Sequence, residues 1–362
     1  MLARGVFIFL TFLISRAALA SETNTLFELE RKAFDFFWQE AHPETGLIKD
    51  RAKNHGADKY DVCSIAATGF GLAAIPVGVE RGWISRKEGE EQAILTLRTF
   101  ADKLPHHHGW IYHFVNWKTG ERAWKCEVSS VDTAWLLCGA LLAGEYFGGE
   151  SRALADLIYR RVDFQWMLTD GDALPNSKTL CMGWKPETGF VKSRWDTFSE
   201  HLALEILALG SPTHPVPAAT WLGWKRNVGE YHGHKTFRCG PLFTHQYSHA
   251  FIDFRDRKDA LGFDYFESAR QATLANREFC IAQSGRFKTY GSDVWGLSAC
   301  DNPDGITKHT ARLQASRIAM EQFQHGTRLR RSCSRPIWSR PPSITCATNS
   351  RSSGENTGSP AR

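Results

Sequence analysis

The sequence predicts an all-α fold, a toroid of concentric inner and outer helical rings, on three observations. Helical segments of similar length follow one another with no strands alternating between them. Some are apolar almost all round and others carry one apolar stripe, the contrast expected between buried inner helices and solvent-facing outer ones. No self-similarity recurs at a period of roughly 30 to 45 residues, which sets aside the alternative of a repeat solenoid.

The first segment, residues 1–20, reads as a secretory signal. Arg4 precedes the apolar run from Val6 to Ile14, and Ala18-Leu19-Ala20 is a small-residue cleavage site ahead of Ser21. The run is about half the ~20 residues that span a bilayer, and Arg16 interrupts it. A cleaved leader and a periplasmic or secreted protein are therefore expected ahead of a membrane anchor, with no stable membrane insertion. From Thr25 to Ala41, Leu26, Leu29, Ala33, Phe34 and Phe37 recur at helical spacing until His42-Pro43 ends the run. Asp61 to Glu80 is rich in Ala, Gly, Ile and Val and predicts a helix buried on most sides. Ser85-x-x-Glu88 is a capping box that opens a third helix ending near Leu104-Pro105.

Gly109 to Trp117 alternates as a strand does and runs into a turn at Lys118-Thr119-Gly120, part of a small β-hairpin. Helices are then expected over Val128 to Phe147, Ser151 to Leu168, Ser199 to Leu209 and Phe263 to Ala282. The loops between them are long and aromatic, and such loops usually carry function.

Composition narrows the function. The 13 Trp, 23 Phe and 8 Tyr suit either an aromatic core or flat apolar faces presented to sugar rings. The net charge of +5 is misleading, because residues 306–362 hold +8 of it and leave the body at −3. A nucleic-acid partner is thereby set aside. The nine cysteines are scattered, with no C-x-x-C and no His at zinc-ligand spacing, so no metal site and no cofactor are indicated. Cys63 and Cys138, in apolar surroundings, read as small buried hydrophobes.

Six ordered blocks are similar to the glycoamylase-like family: DVCSIAATGFG from Asp61, GVERGWI from Gly78, GWKPETGF from Gly183, GSPTHP from Gly210, GPLFTHQYSH from Gly240 and YGSDVWGLSACDNPDG from Tyr290. The resemblance covers Leu26 to Gly305, so residues 21–305 are expected to form the family's domain. It implies an (α/α)6 toroid acting on a β-linked glucan, with β-1,2-glucan favoured. The best-understood relatives are endo-β-1,2-glucanases and a domain of cyclic β-1,2-glucan synthases. An oligo- or polysaccharide is the expected partner.

Glycoside hydrolysis needs a proton donor for the leaving oxygen and a second carboxylate. Arg194-W-D-T-F-S-Glu200 and Glu127-V-S-S-V-Asp132 supply the candidates Glu200, Asp132, Asp196 and Glu127. Glu200 matches the glutamate that the family carries before its SPTHP block and is the first choice as general acid. The alternative is an acid favoured by a helix N-terminus. Asp132 interrupts an apolar helix, and a buried acid needs a reason. It falls where the studied glucanases have the Glu of an Asp-x-x-Glu pair, here Ser129-x-x-Asp132. That departure keeps a rival reading alive, a glycan-binding protein without turnover. Asp61, as a sugar ligand or a helix N-cap, Arg194, His245, His249 and Asp293 are polar candidates for substrate binding. Trp184, Trp195 and Trp295 are stacking candidates.

Residues 306–362 depart from the family altogether. They are dense in Arg, Ser, Thr and Pro, lack a helical apolar period and have the composition of a disordered segment. Ile344 to Arg362 can be encoded by codons that, read from the third base, give HLRHEFKELWGEYGFARA, which resembles the family's later sequence. The tail is accordingly read as a frameshifted end that leaves the toroid incomplete. Peptide mapping of exported material tests both ends. A first residue at Ser21 and peptides in the shifted frame are expected, whereas Met1 retained in a membrane fraction, or peptides matching the tail as written, overturns the corresponding reading.

Overall fold

The computed structural model describes residues 25–53 and 59–298. The leader at 1–20, the boundary at Gly305 and the basic tail 306–362 lie outside the described residues. The chain divides into Met1–Thr327 and Arg328–Arg362, and all that follows concerns the first of these units.

The described part is mostly helical, as expected. Helix α1 spans 25–39, followed by α2 Ile65–Glu80, α3 Arg86–Arg98, α4 Ser130–Phe147, α5 Gly149–Arg161, α6 Phe164–Thr169, α7 Leu202–Leu209 and α8 Tyr265–Ala282. The strands are more numerous than one hairpin. They are β1 Val62–Ser64, β2 His106–His107, β3 Trp110–Ile111, β4 Phe114–Asn116, β5 Val128–Ser129, β6 Gly183–Lys185, β7 Gly189–Phe190, β8 Val228–Tyr231 and β9 His234–Phe237. They form four small antiparallel sheets, β1-β4, β2-β3, β5-β6-β7 and β8-β9.

Local chemistry explains the boundaries. Ser85 and Glu88 close the expected capping box, Ser85 N donating to Glu88 Oε2 at 2.7 Å and Glu88 N to Ser85 Oγ at 3.2 Å. After α3 a π-helical turn, Thr99–Lys103, carries the chain to Leu104, where the end was expected. The helix expected from Asp61 begins four residues later, because Val62–Ser64 pairs with β4 and Ser64 is the N-cap, accepting from Ala67 N. Asp61 is exposed and caps nothing. The helix expected over Ser151 to Leu168 breaks at Val162-Asp163, where Asp163 accepts from Trp166 N and starts α6 anew. Of the apolar positions read at helical spacing in α1, Phe34 is buried, whereas Leu26 and Leu29 are exposed.

The core centres on α4, which packs against α2, α5 and α7. The α2–α4 crossing is made at glycine: a Cβ at Gly139 would lie 1.8 Å from Gly69 O, and one at Gly69 2.4 Å from Trp135 O. No side chain fits between the two backbones. A second cluster, Phe198, Leu202, Trp224, Phe237, Phe254 and Tyr265, joins α7 and α8 to the β8-β9 hairpin. Arg226 ties it together, lying 3.3 Å from the Trp224 ring centroid, donating to Tyr265 Oη at 2.6 Å and pairing with Asp259 at 3.3 Å. All six described cysteines are free, five of them buried as read from sequence, with Cys239 half-buried.

Helix α7 and the turn before it bury more charge than the sequence suggested. Glu205 and His201 are fully buried, and none of their side-chain polar atoms has a hydrogen-bond partner among the described residues. Burial raises Glu205 to about 8 against the opposing Arg226 charge, and lowers His201 to about 3 with help from Arg226. Both are therefore held neutral near pH 7.

Two predictions follow from this packing. Gly139→Ala should cost about 2–3 kcal/mol by overpacking. Gly285→Ala, where nothing lies within 4 Å of the added carbon, should change stability by under about 0.5 kcal/mol. Equal denaturation midpoints for the two variants would contradict the crossing. Glu205, whose folded pKa lies above its unfolded value, contributes stability that is complete below pH ~4.5 and lost as pH rises through 8. Glu205→Gln should therefore gain on the parent protein by about 5 °C in Tm between pH 5 and pH 9. A difference that does not change with pH would refute the assignment.

Candidate active site

The site forms where the N-terminal ends of α2 and α4 meet the strand segment 110–116. Three backbone hydrogen bonds set the junction. Ile65 N donates to His113 O at 3.2 Å, His113 N to Glu127 O at 3.0 Å, and Ser130 N to Met182 O at 3.1 Å. His113 is thus fastened to the first residue of α2 and to the residue just before β5 and α4. Along this segment Ile111, His113 and Val115 alternate onto the buried side, so the imidazole occupies a position that the pattern reserves for an apolar residue. Gly183 in β6 allows the neighbouring strand to approach, since a Cβ there would sit 2.6 Å from Val128 O and 2.8 Å from Glu127 Cγ.

The side chains form a linear array. His113 Nδ1 lies 3.2 Å from Glu127 Oε1, and Nε2 lies 3.4 Å from Asp132 Oδ1. Ser129, the N-cap of α4, donates its hydroxyl to Asp132 Oδ2 at 2.5 Å. Lys185 Nζ stands 3.8 Å from Glu127 Oε2. His113, Asp132 and Glu200 are all buried.

Electrostatics separate the four groups. Burial alone would raise Glu127, but the His113 hydrogen bond and charge, with Lys185, outweigh it and hold that carboxyl at about 2. Burial disfavours a charged His113, yet Asp132 and Glu127 together raise it above the ordinary imidazole value. Asp132 is raised, burial outweighing the His113 charge and the Ser129 hydrogen bond. Glu200 rises to about 8, first through burial and then through the negative charge of Asp132. Since the Asp132 charge pushes Glu200 up, Asp132 is the first of the two to ionise. At neutral pH Glu200 holds its proton, as a general acid requires, beside an Asp132 that loses its proton more readily.

The sequence candidates divide accordingly. Glu200, Asp132 and Glu127 come together. Glu200 sits on the turn before α7, not on the helix expected from Ser199, because that helix begins at Leu202. Asp196 does not join them: it is exposed, and its carboxylate accepts only from Thr197 Oγ1 among the described partners.

Two expected sugar contacts have structural roles instead. Arg194 donates to Asp170 Oδ1 at 2.6 Å, to Ser177 Oγ at 2.9 Å and to the Leu168 and Thr179 carbonyls, and so clamps the 168–179 segment. Trp195 is buried, bonded through Nε1 to Ser130 Oγ at 2.9 Å and stacked on His201.

His245 and His249 do not share a helix face. They end and occupy two separate 3-10 turns, Leu242–His245 and Tyr247–Ala250, with Gln246 between them. His245 is buried, its Nε2 lies 3.3 Å from Cys239 O, and burial lowers it to about 4. The same loop reaches the site through Tyr247 and Cys239, both raised by burial and then, among smaller causes, by the Glu200 charge. Trp184 is half-buried and stacked at 3.9 Å on His107; Asp293 and Trp295 are exposed. His113 and Tyr247 were missed from sequence. The signal for His113 was its place on the apolar side of an alternating strand.

Comparison with known proteins agrees with this architecture. The family model described as "Putative glucoamylase" matches residues 192–327, which include Glu200 and pass Gly305. A crystal structure of a putative glucoamylase from Bacteroides uniformis is 30% identical with a TM-score of 0.68, covering 78% of this chain and 72% of that one. The endo-beta-1,2-glucanase of Chitinophaga pinensis, solved as a sophorotriose and glucose complex, is 27% identical with a TM-score of 0.67, covering 84% and 83%. An exo beta-1,2-glucooligosaccharide sophorohydrolase (non-reducing end) of Parabacteroides distasonis is 27% identical over 74% of this chain. The chain spans only 41% of that relative's length. With a 30% identical structure matched over 72% of its length, the chain belongs to the glycoamylase-like family.

Proposed function

We propose that this chain is an exported glycoside hydrolase that cleaves a β-1,2-linked glucan, with Glu200 as general acid and Asp132 as general base. The observation that carries this reading is the buried pair itself, in which burial and the neighbouring Asp132 charge keep the proton on Glu200 to about pH 8. In the reaction the Glu200 proton passes to the glycosidic oxygen as its bond to the anomeric carbon breaks. Asp132 takes a proton from the water whose oxygen bonds to that carbon. Solvent then returns Asp132 to the carboxylate and Glu200 to the acid.

The glucan assignment is supported by the β-1,2-glucan substrates named for the Chitinophaga and Parabacteroides relatives. Trp184, Trp295 and Asp293 retain surface suited to sugar rings and hydroxyls, and a toroid remains our reading of the complete domain. The Ser129-Asp132 pair, where studied glucanases carry two acids, favours one alternative, a glycan-binding protein without turnover.

A reducing-end assay on linear β-1,2-glucan and a panel of other β-glucans separates these readings. Glu200→Gln and Asp132→Asn should each lower kcat by about a thousandfold with glycan binding retained. Activity of the parent protein should decline as pH rises past 8, because the acid must remain protonated. Binding without new reducing ends sinks the enzyme reading, and near-normal turnover in Glu200→Gln removes that residue as the acid.

A further inference from the structure

Neither the chemistry proposed above nor the relatives account for the buried imidazole between two acids. We propose that His113 is the positioning residue that decides which carboxylate of the site holds the proton: as an imidazolium hydrogen-bonded to Glu127 and ion-paired with Asp132, it keeps Asp132 ionised and leaves the exchangeable proton on Glu200. The inference rests on the Glu200–Asp132 reading for its catalytic meaning, but the proton distribution is a property of the protein without substrate.

The argument begins with donors and acceptors. Both ring nitrogens face carboxylate oxygens, Nδ1 at 3.2 Å from Glu127 and Nε2 at 3.4 Å from Asp132. A neutral imidazole has one N–H and one lone pair, so it satisfies one of these acceptors and turns a lone pair on the other. Only the doubly protonated ring serves both. The backbone at His113 is fixed by hydrogen bonds to Glu127 and Ile65, and its ring is stacked on Phe114 with centroids 3.8 Å apart.

The surrounding charges favour the same state. Glu127 approaches from the residue before β5, Asp132 from α4, Glu200 from the turn before α7, and Asp50 from the 49–53 segment; Lys185 of β6 lies on the far side of Glu127. Acids therefore dominate the groups facing the ring and outweigh the cost of burying its charge. The imidazolium in turn lowers both Asp132 and Glu200. It touches Asp132 directly, whereas in Glu200 its effect is smaller than that of the Asp132 charge. The 3.4 Å contact of the ring is with Asp132, so its charge acts most directly on that carboxyl.

The test uses the full-length protein labelled with ¹⁵N-histidine and with ¹³C at the Asp and Glu carboxyls, titrated by NMR without substrate. His113→Asn and Asp132→Asn identify the two signals. In the parent protein both His113 nitrogens should show protonated shifts at pH 7, and Asp132 should ionise before Glu200. In His113→Asn the Asp132 midpoint should rise by about one pH unit or more, closing the gap to Glu200. Glu127→Gln, which leaves the ring in place, should lower the His113 midpoint by a similar amount. A single neutral tautomer at pH 7, or an Asp132 midpoint unmoved in His113→Asn, overturns the proposal. If His113→Asn does not fold, the Glu127→Gln titration decides it, and an unmoved His113 midpoint counts against it. Because no arm needs turnover, absence of glucanase activity would fail the hydrolase reading and leave this result standing.

Discussion

Backbone contact between α2 and α4 at Gly69 and Gly139 is the constraint on which the site depends. With no side chain at the crossing, the helices approach until carbonyl and Cα atoms touch, and each becomes a wall of the same core. Their N-terminal ends, capped by Ser64 and Ser129, are then close enough for one strand segment to span them. His113 is the residue at the span. A bulkier crossing would separate the caps and with them the backbone groups that hold the ring between Glu127 and Asp132.

The electrostatic arrangement follows from that geometry. Four ionisable groups in one partly dry site would be costly if each were charged alone. Here the ring sits between two acids, Ser129 bonds the inner one, and the fourth group, Glu200, remains protonated at neutral pH. Ser129 has two tasks, to cap α4 and to fix the Asp132 carboxylate. A hydroxyl serves both where a second carboxylate would add repulsion next to Asp132. The departure from the paired acids of the studied glucanases is therefore compatible with a charged Asp132.

Tryptophan usage has a different explanation from the one composition suggests. Trp110 and Trp135 are buried in the main core, Trp195 and Trp224 line the region around His201, and Trp117 bonds through Nε1 to the Glu40 carbonyl. Much of the aromatic content is packing and hydrogen-bonded structure. Trp184 and Trp295 retain accessible surface and, with the half-buried Trp83, lie in blocks shared with the family.

Much of the framework was legible in the sequence because it is written in local periodicity and capping. The capping box at Ser85, the end near Leu104, the near-wholly apolar α4 and the buried cysteines depend on residues a few positions apart. Glu200 and Asp132 stood out as acids in apolar surroundings, and the family resemblance linked them. What sequence spacing misassigned depends on distant partners. Arg194 has a loop to clamp, Trp195 a serine hydroxyl on α4, and Val62–Ser64 a strand more than fifty residues away. His113 lies 14 residues from Glu127 and 19 from Asp132, across a turn and a helix start, so no local pattern joins them. Sequence by itself determined that Glu200, Asp132 and Glu127 carry ionisable chemistry and that Asp132 lies on an apolar helix. Only the tertiary structure decided their protonation, because the pKa of a buried acid depends on the water removed and the charges placed beside it.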